Sequence, residues 1–351
     1  MPSKVLLHIG CPKTGTSYIQ QFLYHNQRIL LDNGYFVPVF LQRDETCAGV
    51  HAWVTLLSFS EHRIEPLVVD YGMEDPDVRR YLREQKLNKL SKMLDEYSDY
   101  TWIISDEILA ARMLDVHDLD SLQSTILNSF REVDILVFLR NQLESAIGQW
   151  STDIINGSTQ EELTYPWDLP EDPMRYLNHQ RLLSSWCTAL PNARFDVRLY
   201  NPRKMLADFA QSLGIPLSTS FHYPDLENKS MSLFCLRLLS RYNQRHPFHD
   251  GISSPSDFRR YIPIGVMKAF SSHPGYMPSQ SMQKAYQEYF SESNEWVRST
   301  YFPNLSTLWK SVKLPTDHEE AQLDYISSKI ENSVLDLLDD LTLRFQIPRQ
   351  D

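Results

Sequence analysis

The sequence contains few cysteines and no long apolar run, and both absences narrow the kinds of protein it can encode. Its four cysteines are widely spaced and include no C-x-x-C pair, so neither a zinc site nor a disulfide framework is predicted. No apolar run approaches the about 20 residues of a membrane span. No basic-then-apolar leader precedes the first predicted strand, which begins near residue 5. We therefore expect a cytoplasmic protein without a membrane span.

The chain also lacks an excess of positive charge. It carries 34 Lys and Arg against 45 Asp and Glu, a net charge of −11, whereas a general nucleic-acid binder needs a basic surface to contact phosphates. We expect no nucleic-acid partner, although a local basic cleft for a phosphorylated nucleotide is compatible with this charge. With 351 residues, 42% of them hydrophobic, the chain can bury the core of one large domain or of a domain with an appendage.

The N-terminal strand leads into a polar loop and then a helix. Val5–Ile9 reads as a buried strand that breaks at Gly10, and the helix is predicted to begin near Thr16. Main-chain N–H groups at a helix N-terminus are unpaired and carry the positive end of the helix dipole, so they bind oxyanions. Lys13 adds a cation, and Thr16 and Ser17 add two hydroxyls. This stretch therefore predicts a phosphate-binding loop.

The position of the lysine indicates which anion the loop binds. A nucleoside-triphosphate P-loop reads G-x-x-x-x-G-K-[ST]. Here the run from Gly10 is GCPKTGTS, in which the glycines keep their spacing, the lysine lies at Lys13, and Thr16 occupies the usual lysine position. PKTGTS resembles the 5′-phosphosulfate loop of sulfotransferases that use 3′-phosphoadenosine 5′-phosphosulfate (PAPS). The resemblance implies that this co-substrate is bound, without a metal, by Lys13, Thr14, Gly15, Thr16 and Ser17.

Two carboxylates directly follow the next predicted strand, Thr101–Ser105. In open α/β sheets, ligands bind outside the carboxyl ends of the strands. Asp106 at this place suits a nucleotide kinase or NTPase that uses magnesium, and that alternative stays open, as does a non-catalytic nucleotide-binding protein. The strand also resembles the S-x-E element of sulfotransferases, which implies that Glu107 lies beside the acceptor.

His51 follows a short G-x-x-x-P element, Gly34–Pro38. This layout resembles bacterial carbohydrate-type sulfotransferases and implies catalytic roles for Lys13, His51 and Glu107. We favour His51 as the general base, since the unperturbed imidazole pKa is already near neutrality, with Glu107 binding the acceptor or orienting the histidine. The acceptor is expected to be a hydroxyl or amine of a small molecule or carbohydrate.

Arg140 stands at the end of a third buried strand, Asp134–Leu139. The 3′-phosphate site of sulfotransferases is an arginine after such a strand together with a serine eight residues on. Arg140 matches the first position, whereas Gly148 stands at the second. Ser145 lies one helical turn earlier, on roughly the same face of the predicted helix. Its hydroxyl is a candidate replacement on physical grounds, outside the resemblance.

The order of the predicted elements favours an α/β fold. Strand, loop and helix units cover residues 5–31, 101–131 and 134–156, and a fourth strand is predicted at Phe195–Tyr200. Near-continuous apolar strands joined by helical crossovers indicate a mainly parallel, P-loop-like central sheet flanked by helices. A single helix is predicted from 174 to 189.

The resemblance covers roughly the first 215 residues. We therefore expect a nucleotide-binding core over residues 1–215 and a mainly helical extension over 216–351, packed on that core. Within the extension we predict a loop from about His246 to Pro278 and a helix from Gln283 to Phe302. A last helix within Glu319–Phe345 either covers the core or forms an oligomer contact.

Overall fold

The computed structural model describes residues 4–113, 115–225, 231–247, 262–270, 275–309 and 332–340. The chain divides into two units. The first unit contains the residues up to Arg140, then Pro170–Leu226 and Glu292–Leu308. The second contains Asn141–Leu169, Glu227–Ser291 and the residues from Trp309 onward. The expected division at residue 215 into a nucleotide-binding core and an extension is a functional one and stays a prediction.

The first unit contains a five-stranded parallel sheet with the strand order β2-β3-β1-β4-β5. Its strands are β1 Lys4–His8, β2 Tyr35–Phe36, β3 Thr101–Ser105, β4 Glu132–Leu139 and β5 Arg194–Leu199. The register aligns His8 of β1 with Ser105 of β3 and Leu136 of β4. The central strand is therefore β1, and the loop that follows it lies between the ends of β3 and β4.

Helices connect and cover the strands. In chain order the α-helices are α1 Thr16–His25, α2 Gln27–Asp32, α3 Trp53–Ser58, α4 Pro66–Asp70, α5 Pro76–Glu96, α6 Glu107–Arg112, α7 Val116–Thr125, α8 Gln142–Ile155, α9 Glu171–Leu177, α10 His179–Ala189, α11 Met205–Leu213, α12 Leu233–Arg245, α13 Ile262–Ala269, α14 Gln280–Tyr289, α15 Ser291–Tyr301 and α16 over residues 332–340. Within the described ranges, none of these helices combines the length and the apolar character that a membrane crossing needs.

Both faces of the sheet are buried. Leu6 and Phe138 lie in a core cluster with Phe22 of α1 and Phe209 of α11. On the opposite face, alternate residues of the same strands, such as Val137, are also completely buried. The near-continuous apolar strands thus have the character of a parallel sheet covered by helices on both sides. The α/β fold class predicted from the sequence, with a P-loop-like strand, loop and helix at its N-terminus, is confirmed.

The second unit is built from helices, with α8 packed against α12 and α14. Trp150 of α8 lies edge-to-face against Tyr276, with ring centroids 5.4 Å apart. Asn243 of α12 donates to the carbonyls of Ile154 and Ser158, both at 2.8 Å. These bonds join α12 to the end of α8 and to the residues just beyond it.

Candidate functional site

Polar residues gather at the carboxyl ends of the strands in the first unit. This is the edge at which open α/β sheets bind ligands. Because β3, β1, β4 and β5 are neighbours in this order, the sheet brings together four sequence stretches that are far apart along the chain. The residues that follow β1, β3, β4 and β5 at this edge are Gly10–Ser17, Asp106 and Glu107, Arg140, and Tyr200.

Two positions of the loop after β1 require glycine. A Cβ on Gly10 would lie 2.3 Å from Cγ2 of Thr16, a distance that the packed loop cannot accommodate. Gly15 has φ +76°, and a Cβ there would lie 2.7 Å from Cε of Met205. Gly15 thus suits the left-handed backbone region that favours glycine. The loop closes tightly over the start of α1 because neither glycine carries a side chain.

The N-terminus of α1 has no side-chain cap. Gly15 is its N-cap residue and supplies no capping hydrogen bond, so the first N–H groups of the helix face the loop as anion donors. The Thr14 side chain is completely buried, and its Oγ1 donates to the Cys11 carbonyl at 2.6 Å. That hydroxyl closes the loop, and Thr14 offers a ligand only its main chain. Ser17 is exposed on the first turn.

Arg140, at the end of β4, forms a hydrogen bond with the loop after β1. Its Nη1 donates to the Lys13 carbonyl at 2.8 Å, and its guanidinium lies over the ring of Tyr200, 5.3 Å from the centroid. Lys13 itself has φ 67°, a left-handed conformation that is uncommon outside glycine. The predicted residues Lys13 and Arg140 are therefore in direct contact.

Glu107 meets the same loop from the end of β3. It is the first residue of α6, and its Oε2 accepts a hydrogen bond from Oγ1 of Thr16. Burial raises the pKa of Glu107, while the nearby positive charge of Lys13 lowers it. The structure thus places a carboxylate with a raised pKa beside the helix N-terminus that carries the predicted anion site.

Asp106 is fully buried, and both of its carboxyl oxygens accept hydrogen bonds from neighbouring helices. Its Oδ2 accepts from the main-chain N–H of Thr55 at 3.2 Å and from Oγ1 of Thr55 at 2.7 Å. Its Oδ1 caps α6 by accepting from the Ile108 N–H at 3.0 Å. Burial raises the pKa of Asp106 to about 7. Because both oxygens are engaged with α3 and α6, this carboxyl is poorly suited to the magnesium role that the NTPase alternative gives it.

His51 also lies at the end of β3, but its surroundings differ from the expectation. The side chain is completely buried, and burial lowers its pKa to about 4. Nδ1 lies 3.0 Å from both the carbonyl oxygen and the main-chain nitrogen of Ser105. Among the described residues, Nε2 has no hydrogen-bond partner. His51 was favoured as the base because its pKa was expected to be near neutral. Its buried environment lowers that pKa instead.

Ser145 and Gly148 lie on α8, in the second unit. The Ser145 side chain is buried, with 4% of its surface exposed. The Gly148 carbonyl accepts from Oγ1 of Thr152 at 3.1 Å. The part of either residue in binding a 3′-phosphate stays a prediction.

Two residues at this edge were not singled out from the sequence. His8 ends β1 and is completely buried, with Nδ1 2.9 Å from Oγ of Ser105. Tyr200 contacts Arg140 and would lie 3.4 Å from a Cβ on Gly15. A polar or aromatic side chain at the last position of an apolar strand, or just beyond it, is the signal that could have found them.

Within the described ranges, no group of three or more His, Cys, Asp and Glu side chains is arranged to hold a metal ion. All four cysteines have free thiols. Burial raises the pKa of the Cys11 thiol, which lies in the loop, to about 12. Its thiol therefore stays protonated at neutral pH, and its main-chain carbonyl, which accepts from Thr14, is the part that shapes the loop.

No family model and no curated protein matches the chain. Solved structures that it resembles include a sulfotransferase from Alicyclobacillus acidocaldarius, at 14% identity and a TM-score of 0.35 over 70% of this chain and 95% of that one. They also include the sulfotransferase domain from the curacin biosynthetic pathway, at 8% identity and a TM-score of 0.34 over 83% of this chain and 98% of that one. At such low scores, a functional assignment depends on the residues of the site.

Proposed function

We propose that the protein transfers a sulfuryl group from PAPS to a hydroxyl or amine of a small molecule or carbohydrate. The observation that carries this proposal is the contact between Glu107 and Thr16 at the uncapped N-terminus of α1. It joins a carboxylate that can take a proton to a helix start that can hold an anion. A group-transfer enzyme for an anionic donor needs both at one place.

The donor would be held by the loop and by Arg140. The N–H groups of residues 14–17 suit the 5′-phosphate, since the glycines at 10 and 15 leave the main chain free to approach it. Lys13 would offset the negative charge that builds on the leaving phosphate oxygen. Arg140 would bind the 3′-phosphate with its guanidinium while holding the Lys13 carbonyl.

Sulfuryl transfer requires mainly that the enzyme position the donor and acceptor and stabilise the charge that develops in the transition state. The acceptor oxygen or nitrogen forms a bond to sulfur, and the bond between sulfur and the 5′-phosphate oxygen breaks. Glu107 takes the proton of the acceptor, and 3′-phosphoadenosine 5′-phosphate leaves with the electron pair of the broken bond. We assign the proton to Glu107 and not to His51, because Glu107 contacts the loop and burial raises its pKa, whereas burial lowers the pKa of His51.

Transfer of labelled sulfur from PAPS to a panel of alcohols, amines and carbohydrates tests the proposal. Glu107→Gln should lower turnover by about 10²–10⁴-fold, the usual contribution of a positioned base. Glu132→Gln, at the exposed start of β4, is the matched control and should keep wild-type turnover. If the wild-type protein binds PAPS but labels no acceptor, the non-catalytic alternative holds. If Glu107→Gln transfers sulfur at the wild-type rate, Glu107 is not the base.

A further inference from the structure

β3 extends beyond the end of β2, its neighbour on the outer side of the sheet. β2 pairs with β3 only at Tyr35–Thr101 and Phe36–Trp102. On the other side of β3, the Asp106 N–H donates to the His8 carbonyl at 3.0 Å. Because main-chain groups of a parallel strand alternate in direction, the N–H and C=O of Ser105 point away from β1, toward the place that a longer β2 would occupy.

His51 fills that place. Its main-chain N–H donates to the Ser105 carbonyl at 3.0 Å, and its Nδ1 lies 3.0 Å from the Ser105 nitrogen. One residue thus offers Ser105 both a donor and an acceptor, as a neighbouring strand would. Ser105 is completely buried, so its main-chain groups need these partners.

This arrangement determines the tautomer of His51. Nδ1 lies 3.0 Å from the Ser105 carbonyl oxygen as well, but that oxygen already accepts from the His51 main-chain N–H. Both main-chain groups of Ser105 are therefore paired only when Nδ1 presents its lone pair to the Ser105 N–H and the ring proton lies on Nε2. A proton on Nδ1 would face the Ser105 N–H and leave a buried main-chain donor unpaired, which costs about 1–3 kcal/mol. Among the described residues, Nε2 has no hydrogen-bond partner, so it is unpaired in either tautomer and the choice between the two depends on Nδ1.

We propose that His51 is a positioning residue, held as the Nε2–H tautomer, that completes the edge of β3 and so orients the turn carrying Glu107. In this form Nδ1 is engaged and Nε2 is protonated, so the neutral ring has no free lone pair with which to take a proton from an acceptor. The tautomer follows from the contacts of Ser105, whereas the effect on Glu107 rests on the proposed function.

The tautomer can be measured without any enzymatic assay. In protein labelled with ¹⁵N-histidine, the spectrum of His51→Asn assigns the His51 resonances by their loss. At pH 7 we expect the unprotonated ring nitrogen to be Nδ1 and the protonated one to be Nε2. A proton on Nδ1, or a doubly protonated ring, overturns the inference. Failure of the protein to turn over PAPS leaves this measurement unaffected and counts only against the proposed function.

Kinetics separate positioning from base catalysis. His51→Asn keeps an acceptor oxygen near the position of Nδ1 but cannot act as a base, and we expect its kcat to stay within about tenfold of wild type. His51→Ala removes the acceptor, and its kcat should fall at least about 100-fold with the acidic limb of the pH profile retained. His179→Gln changes another buried histidine and should keep wild-type turnover. Equal, large losses in His51→Asn and His51→Ala contradict a positioning role.

Discussion

At the scale of single residues, Lys13 combines a charge with an unusual backbone conformation. Its φ of 67° costs a non-glycine residue about 1–2 kcal/mol. Lys13→Gly removes the amine and also relieves this strain, whereas Lys13→Ala removes the amine alone. We expect both variants to lose at least about 100-fold in turnover, because the leaving phosphate oxygen loses its cation. Denaturant unfolding should show Lys13→Gly to be at least as stable as Lys13→Ala. Wild-type turnover in either variant would remove Lys13 from the chemistry.

Asp106 should give the folded state a specific pH dependence. Its pKa rises on folding from 3.8 to about 7 because of burial, so the folded chain holds this proton more tightly than the unfolded chain. The resulting stabilisation is complete below pH 3.8 and is lost as the pH rises through about 7. Between these values the free energy of unfolding should fall by at most about 1.4 kcal/mol per pH unit on this account.

Asp106→Asn tests that dependence, because an amide does not titrate. Urea unfolding from pH 4.5 to 7.5 should show a shallower pH slope for Asp106→Asn than for the wild type. Asp115→Asn changes the exposed cap of α7, where Oδ1 accepts from the His117 N–H at 2.8 Å, and should keep the wild-type slope. Parallel slopes for wild type and Asp106→Asn would show that Asp106 keeps an ordinary pKa in the folded chain.

The position of the candidate site residues could be read from the sequence more easily than their chemical state. Lys13, Thr16 and Glu107 were predicted from a loop pattern and a strand end, and they do lie together. The state of His51 was not predictable. Its pKa depends on burial by residues distant along the chain, and its tautomer depends on Ser105, which is 54 positions away.

At the scale of elements, the start of α1 depends on Gly15. Gly15→Ala should lower nucleotide affinity and stability together, because the new methyl group meets Met205 and the backbone has φ +76°. Gly214→Ala is a matched control, since Gly214 ends α11 at φ +72° with nothing within 4 Å of its Cβ position. Both variants should lose about 1 kcal/mol of stability from the left-handed backbone.

Calorimetry with 3′-phosphoadenosine 5′-phosphate distinguishes the two glycine variants. Only Gly15→Ala should bind it more weakly than the wild type, and it should also lose more stability than Gly214→Ala. Equal losses of affinity would mean that the effect comes from general destabilisation and not from the loop.

Strong periodic signals placed the sheet and the first helix correctly, but breaks within helical stretches were missed. The single helix predicted from 174 to 189 is two helices, because the Asn178 side chain caps α10 through the Arg181 N–H at 3.0 Å. The helix predicted from Gln283 to Phe302 is likewise divided at Phe290. A short side-chain cap inside an apolar pattern has no clear signature in the hydrophobic periodicity.

The structure describes only part of the C-terminal region. α13 spans Ile262–Ala269 within the region predicted as a loop, so that part of the prediction is wrong; residues 248–261 and 271–274 lie outside the described ranges. Of the last predicted helix, residues 332–340 are helical. Its remaining residues lie outside the described part of the chain, and its role as a cover or an oligomer contact stays a prediction.

For the whole molecule, the strand order is what creates the site. Parallel strands were predictable from near-continuous apolar runs, but their order was not, because pairing depends on contacts between distant stretches. The observed order sets β1 between β3 and β4. That order alone makes neighbours of Lys13, Glu107 and Arg140, which the sequence could only propose one at a time.

We propose that this edge of the sheet binds a 3′-phosphorylated adenosine nucleotide, which competitive calorimetry can test. We predict that 3′-phosphoadenosine 5′-phosphate binds more tightly than adenosine 5′-monophosphate or ATP–Mg²⁺. In Arg140→Ala its advantage over adenosine 5′-monophosphate should shrink by about 2–5 kcal/mol, the cost of a lost buried charge contact. Arg131→Ala, at an exposed arginine, should keep the wild-type ratio. Tight binding of ATP–Mg²⁺ with no preference for the 3′-phosphate would show that this edge is not a site for the 3′-phosphorylated nucleotide.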